Sequence, residues 1–280
     1  MPELPEVEVV RRGLADHVAG RRVSDLQLRG HRVARRHLAG PDDLVGAVVS
    51  RRIERACRRG KYLWLDLDGE LGLVVHLGMS GQMLVAEPGS PDQRHLHARF
   101  TFEGGGPELR FVDQRTFGGL ALSPLGADGV PESVAHIARD PFDPAFDAAA
   151  VARAAQRRES AIKRVLLDQR LVSGIGNIYA DEALWRASVH GERPASRLTK
   201  PAIVRVLGHA RDVMADSLAQ GGTSFDALYV NVNGQSGSAG LFRAVYGLAG
   251  RPCKRCGTPI VREKFMNRSS HFCPVCQRKR

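Results

Sequence analysis

The pairing of cysteines near the end of the chain constrains its fold more than any other feature. Cys253-x2-Cys256 and Cys273-x2-Cys276 put four of the five cysteines into the last 28 residues, with a sixteen-residue span between the pairs. Each pair can set its two sulfurs one tetrahedral edge apart around Zn2+, and four thiolates close the coordination sphere. The expected metal is a single structural zinc with no open position for activating water. A segment too short to bury a core of its own then folds because metal binding supplies the folding energy. The span from Gly257 to Phe272 has the length of a β-hairpin. This spacing is not a disulfide framework spread along a secreted chain, so a cytoplasmic location is expected. Cys57 is left over and reads as a small buried hydrophobe.

Upstream of the cysteines the patterning divides in two. Val7, Val10, Leu14 and Val18 recur at helical steps before Gly20. Short alternating runs follow: Tyr62–Leu67 turns at Asp68-Gly69 into Leu71–His76, and Arg99–Phe102 turns at Gly104–Pro107 into Leu109–Val112. Such hairpins predict an antiparallel sandwich or barrel. Asp140-Pro141-Phe142-Asp143-Pro144 reads as a linker. Beyond it the spacing predicts helices over Ala148–Ala155, Ser160–Leu171 and Ile178–Arg186, then a long one through Ile203 and Met214. The stretch Ser173–Asn177 breaks two of these helices, and Gly221-Gly222 ends the block. The expected class is α+β: a helix with an antiparallel β-sandwich over 1–135, a hinge over 136–150, helices over 151–246 and a zinc hairpin over 247–280.

Charge narrows the partner. Forty-one Lys and Arg against thirty Asp and Glu leave a net charge of +11, which suits a polyanion bound through counterion release. Glu3, Glu6 and Glu8 replace the basic start of a secretory leader, and no run approaches the ~18 apolar residues of a membrane span. Pro2 carries more chemistry. Initiator methionine is readily removed before small residues, and the secondary amine then exposed has a pKa well below that of lysine. It could attack a sugar C1′ to give an iminium ion, with Glu3 beside it shuttling protons.

Pro2–Val7 followed by Arg11–Leu14 resembles the opening of the formamidopyrimidine-DNA glycosylase family. The likeness continues through Gly60–Leu63, His76–Gly81, Asp113–Gly118, Leu167–Ala180, Gln220–Thr223 and the cysteine module, in the family's order. It implies a bifunctional DNA glycosylase/AP lyase of base excision repair, acting as a monomer on damaged double-stranded DNA in the cytoplasm, at the nucleoid. Oxidised purines would leave through a Pro2 Schiff base, followed by β,δ-elimination. The helices over 151–246 would form a helix–two-turns–helix domain, with Ser173–Asn177 as its turn.

The resemblance also implies roles. Pro2 is the nucleophile, Glu3 the general acid/base, Glu6 a neighbouring active-site carboxylate, and Lys61 a phosphate-holding residue that supports catalysis. His76, Lys163, Asn177 and Arg268 face DNA, Arg268 as a clamp on the phosphates flanking the lesion. Met79, Arg115 and Phe117 resemble the trio that fills the gap left by an extruded nucleotide, which favours the purine-specific branch. Two positions depart from the family. Thr116 stands where many relatives carry a second arginine. The loop from Asn231 to Phe242 has Gly234, Gly237 and Gly240, and Ala239 near a usual aromatic position, so a lid there would cost more entropy to order.

Overall fold

A computed structural model describes residues 2–222, 231–235 and 243–279. Its contacts divide the chain into two units, one from the described parts of 1–136 and 220–239, the other from those of 137–219 and 240–280.

In the first unit, α1 (Leu4–Val18) buries Val7, Val10, Leu14 and Val18, the stripe that the helical spacing predicts. Its first turn is closed by a capping box in which the Glu3 side chain takes the Glu6 N–H and the Glu6 side chain takes that of Glu3. Eight strands follow: β1 (Val23–Leu28), β2 (Ile53–Arg59), β3 (Tyr62–Leu67), β4 (Leu71–His76), β5 (Gly81–Ala86), β6 (Leu96–Phe102), β7 (Glu108–Asp113) and β8 (Gly119–Pro124). They form two antiparallel four-stranded sheets, β1-β6-β7-β5 and β2-β3-β4-β8. Leu26, Phe100, Leu109 and Phe111 of the first sheet share one apolar core with Ile53, Leu63, Leu65, Leu73 and Leu120 of the second. β6 alternates buried and half-buried residues along its whole length, as a strand with one covered face does. α2 (Pro41–Val48) closes one side through Leu44 and Val48.

Two later segments return to this unit. Gly222, at φ +88°, faces the start of α1, where an added Cβ would lie 3.7 Å from the Cα of Glu6, and Val232 sits over Gly13, where a Cβ would meet its Cγ2 at 2.4 Å. The Val85 N–H donates to Val232 O (2.8 Å), which fixes the second segment to β5. The lid expected around Ala239 falls on 236–242, outside the described residues.

The second unit holds α3 (Ala148–Gln156), α4 (Ile162–Leu166), α5 (Asn177–Arg186), α6 (Lys200–Ala219) and the hairpin of β9 (Val261–Phe265) and β10 (Arg268–Phe272). Asp147 caps α3 by accepting from Ala149 and Ala150 N–H. The helix expected over Ser160–Leu171 stops at Leu166. Side chains take over the backbone groups there: Asp168 accepts from the Arg170 N–H (3.0 Å), while Gln169 donates to Leu167 O and Ile175 O and accepts from Gly174 N–H. Local bonds of this kind compete with the helical ladder and win. The hairpin is packed against its helical neighbours, since Trp185 of α5, Ala244 and Val245 share a cluster with Cys253, Ile260 and Cys273. Buried Glu182 secures the approach to it by accepting three N–H bonds, from Ala244, Val245 and Tyr246, at 2.8–2.9 Å.

Candidate active site and metal centre

Pro2 is buried immediately before the first turn of α1, next to the buried side chains of Glu3 and Glu6. The Glu3 N–H donates to Glu6 Oε2 at 2.8 Å, so Glu6 fixes the peptide joining Pro2 to Glu3. Lys61 occupies, with Gly60, the two-residue turn between β2 and β3, and Gly60 supplies the φ of 58° that the turn needs. An ionic chain joins this turn to α1. Glu8 takes Arg58 Nε at 3.0 Å, and Arg58 Nη1 donates to Gly60 O at 2.9 Å. Burial pushes the Glu8 carboxyl up, but hydrogen bonds and charge from Arg11 and Arg58 outweigh it and hold the pKa down at about 2.

Met79 and Phe117 are among the large hydrophobic side chains left exposed, at 38% and 42%. That exposure excludes a core role. Arg115 is also exposed, with its guanidinium carbon 5.2 Å from the centre of the Phe117 ring. The two loops bearing this trio are joined beneath it. Asp113 accepts from Ser80 Oγ and from the N–H groups of Arg115 (3.2 Å) and Gly118 (2.7 Å). Gly78, at φ +61°, lets the loops touch, because a Cβ there would lie 2.6 Å from Gly118 N. Thr116 adopts φ 54°, a left-handed conformation that costs a β-branched residue roughly 1–2 kcal/mol. His76, at the end of β4, lies behind these loops with its ring 6.5 Å from that of Tyr62. Burial, followed by the charges of Arg36 and Arg35, pushes its pKa down to about 4. At neutral pH it is therefore an uncharged hydrogen-bonding group.

In the second unit, Asn177 opens α5 and Arg268 opens β10, where it is exposed. Asn177 Nδ2 donates to Ser269 O at 3.0 Å, tying the helix start to the residue after Arg268. Lys163 corrects the sequence reading. Its side chain is 0% exposed, and its ammonium is 2.6 Å from Asp181 Oδ1 while donating to Ser269 O and Ser270 Oγ. A side chain so enclosed braces the hairpin and does not face a phosphate. Asp181 also accepts from the His271 N–H at 2.9 Å.

The four thiols of Cys253, Cys256, Cys273 and Cys276 lie within 4.8 Å of one another. Separations of 3.5 Å for Cys256–Cys273 and 3.9 Å for Cys253–Cys276 bracket the tetrahedral edge of about 3.8 Å that Zn–S bonds near 2.3 Å require. Trp185 Nε1 donates to Cys253 Sγ at 3.4 Å, a bond that favours thiolate. The residues present fit one structural zinc.

Sequence reading assigned no role to Glu8, Ser80, Asp113, Asp181 or Glu182. One of them left a signal: an aspartate two residues before Arg115 and five before Gly118 is the pattern of a side chain that closes a turn.

Comparison with known proteins bears on all of these parts. Residues 1–120 match the model of the formamidopyrimidine-DNA glycosylase N-terminal domain, 137–227 that family's H2TH domain, and 250–278 the zinc finger found in FPG and IleRS. A formamidopyrimidine-DNA glycosylase of Nocardia farcinica is 61% identical over 289 aligned positions, covering 99% of this chain and 98% of that protein. The Lactococcus lactis Fpg (MutM) in complex with FAPY-dG-containing DNA is 31% identical, with a TM-score of 0.85 over 99% of this chain and 100% of that one. A MutM bound to DNA containing carbocyclic 8-oxo-G gives 0.86 at 31% identity, again over 99% of this chain and 100% of that one.

Proposed function

Because the chain belongs to the formamidopyrimidine-DNA glycosylase family, we propose that it excises oxidised purines, 8-oxoguanine and formamidopyrimidines, from double-stranded DNA in base excision repair. The enzyme acts as a monomer at the nucleoid. The observation that carries the chemistry is Pro2 set directly ahead of α1, beside the mutual Glu3–Glu6 capping box. Once Met1 is removed, the Pro2 nitrogen attacks C1′ of the damaged nucleotide and the base departs as Glu3 moves protons to it and to the opening sugar. The resulting iminium ion makes the C2′ protons acidic. β-Elimination and then δ-elimination release the sugar remnant and leave a one-nucleotide gap.

The remaining residues serve extrusion and grip. Swinging a base out of the duplex costs a few kcal/mol, and Met79 and Phe117 restore stacking in the space it leaves while Arg115 bonds the orphaned partner. Lys61, His76, Asn177 and Arg268 hold the backbone around the lesion, Asn177 with the added donors of a helix start.

Borohydride reduction tests the reading. The mature protein should be trapped covalently, through Pro2, on a duplex bearing 8-oxoguanine. Protein carrying an uncleaved N-terminal tag should not be trapped, because its Pro2 nitrogen is an amide. Equal trapping of the two forms would remove Pro2 from the mechanism.

A further inference from the structure

The turn that presents Arg115 and Phe117 is gripped from outside its own loop. Residues 29–36 run Arg-Gly-His-Arg-Val-Ala-Arg-Arg, and a 3-10 turn at His31–Ala34 aims three of these arginines at two carbonyls. Arg35 Nη1 donates to Thr116 O at 2.8 Å and its Nη2 to Phe117 O at 2.6 Å. Arg36 Nη2 reaches Phe117 O at 3.1 Å and Arg32 Nε reaches Thr116 O at 3.3 Å. Close approach of the two segments is possible because residue 119 is glycine: a Cβ there would lie 2.5 Å from Val33 O. On the inner side of the turn, Asp113 holds the N–H groups of Arg115 and Gly118. The donors are thus taken by a carboxylate, with Ser80 Oγ also accepting from Arg115 N–H at 2.9 Å, and the acceptors by guanidinium groups. Between these two grips stands Thr116, in a left-handed conformation that its branched side chain resists.

We propose that Arg35, flanked by Arg32 and Arg36, is a positioning residue that locks the Arg115–Phe117 turn in the raised conformation needed to fill the gap opposite an extruded base. A planar guanidinium reaches two successive carbonyls with two N–H groups in a rigid fork, a preorganised geometry that a lysine on its flexible stem lacks. Arg35 therefore acts through the geometry of the turn rather than through its charge alone. With the turn set in advance, the wedge enters the duplex without first paying to order itself. The proposal rests on the reading of Arg115 and Phe117 as void-filling residues of a base-excising enzyme.

Two measurements on the full-length, zinc-loaded protein test it. The first is hydrogen exchange of the free protein across 113–119, which needs no substrate. Arg35→Ala and Arg35→Lys should both speed exchange at the Arg115 and Gly118 amides, and the effect should shrink in a Thr116→Gly background, where left-handed backbone is unstrained. The second is single-turnover excision of 8-oxoguanine opposite cytosine, set against strand cleavage at a preformed abasic site. Both Arg35 variants should lose roughly tenfold in excision but less than about twofold on the abasic duplex, where extrusion is already easy. Full activity of Arg35→Lys would make the residue a simple phosphate-attracting cation and overturn the proposal. Unchanged exchange in Arg35→Ala would overturn it as well. Should the unsubstituted protein excise no oxidised purine, the functional reading fails instead, and exchange alone then decides whether Arg35 holds the turn.

Discussion

Replacing Lys163 with methionine separates a buried strut from a DNA contact. The Lys163 ammonium and the Asp181 carboxylate are 2.6 Å apart at 0% and 1% exposure, so the change strands a carboxylate in the interior. Breaking such a pair from one side costs about 3–5 kcal/mol. Asp181 keeps the His271 N–H at 2.9 Å and Ser270 Oγ at 3.3 Å, which places the expected loss near the lower end, about 3 kcal/mol. The hairpin also loses the bonds that Lys163 gives to Ser269 O and Ser270 Oγ, next to Arg268. Adding Asp181→Asn removes the stranded charge, so the double variant should regain much of both stability and affinity for lesion duplex. Denaturant unfolding gives the first quantity, and binding titrations across a salt series give the second. Arg268→Ala should flatten the plot of log K against log salt by about one phosphate contact, whereas the Lys163/Asp181 double variant should keep the original slope. A Lys163→Met protein within about 1 kcal/mol of the original in stability, yet with its slope reduced by one contact, would refute this reasoning and restore Lys163 to the DNA interface.

Glu8→Gln should destabilise the protein at pH 7. Because the carboxyl is held at about 2 when folded against an ordinary 4.5, its contribution is fully present above 4.5 and is lost as the pH falls toward 2. Thermal unfolding of the two proteins should therefore converge over that window, and a gap that persists at pH 2 would place the effect elsewhere. Met79→Ala should slow excision of 8-oxoguanine more than it weakens binding to an abasic duplex, as read in single-turnover and equilibrium assays. Equal losses would mark Met79 as packing alone. Cys256→Ser should release zinc, measured by a chromogenic chelator, and abolish duplex binding while the far-ultraviolet circular dichroism of the rest stays near native.

Features legible in the sequence were those set by local periodicity or fixed spacing. The stripe Val7–Val10–Leu14–Val18 can only be one face of a helix, Asp68-Gly69 can hardly be other than a turn between strands, and paired Cys-x2-Cys motifs bring their own geometry. Family motifs carried the candidate site, since neither Phe117 nor Met79 differs locally from a core residue. Lys163 was misread because nothing near it in the chain separates a buried lysine from a solvated one. Only the arrival of Asp181 on α5 and of Ser269 and Ser270 on β10 does so. The expected helix runs past Leu166 for a related reason: Leu167, Gln169 and Arg170 have good helix propensity, and only the bonds of Asp168 and Gln169 to surrounding backbone reveal the turn.

These missed features share a physical cause that bears on function. Under the proposed function, residues that enter or grip a duplex project from turns and element ends, which lack the ladder of bonds that makes helices and sheets rigid. Here three such segments are held by a charged side chain binding their backbone. Arg58, itself fixed by Glu8, holds Gly60 O beside Lys61; Asp113 holds the amides around Arg115; and Lys163, fixed by Asp181, holds Ser269 O beside Arg268. A charged group suits this task because its hydrogen bonds are stronger than those between neutral groups. Its burial, in turn, makes a displaced turn costly, since the charge would be left without its partners. Substitution of these clamps should therefore reduce lesion excision by misplacing intact functional side chains, a loss that restoring the clamp's hydrogen bonds, rather than its charge alone, would recover.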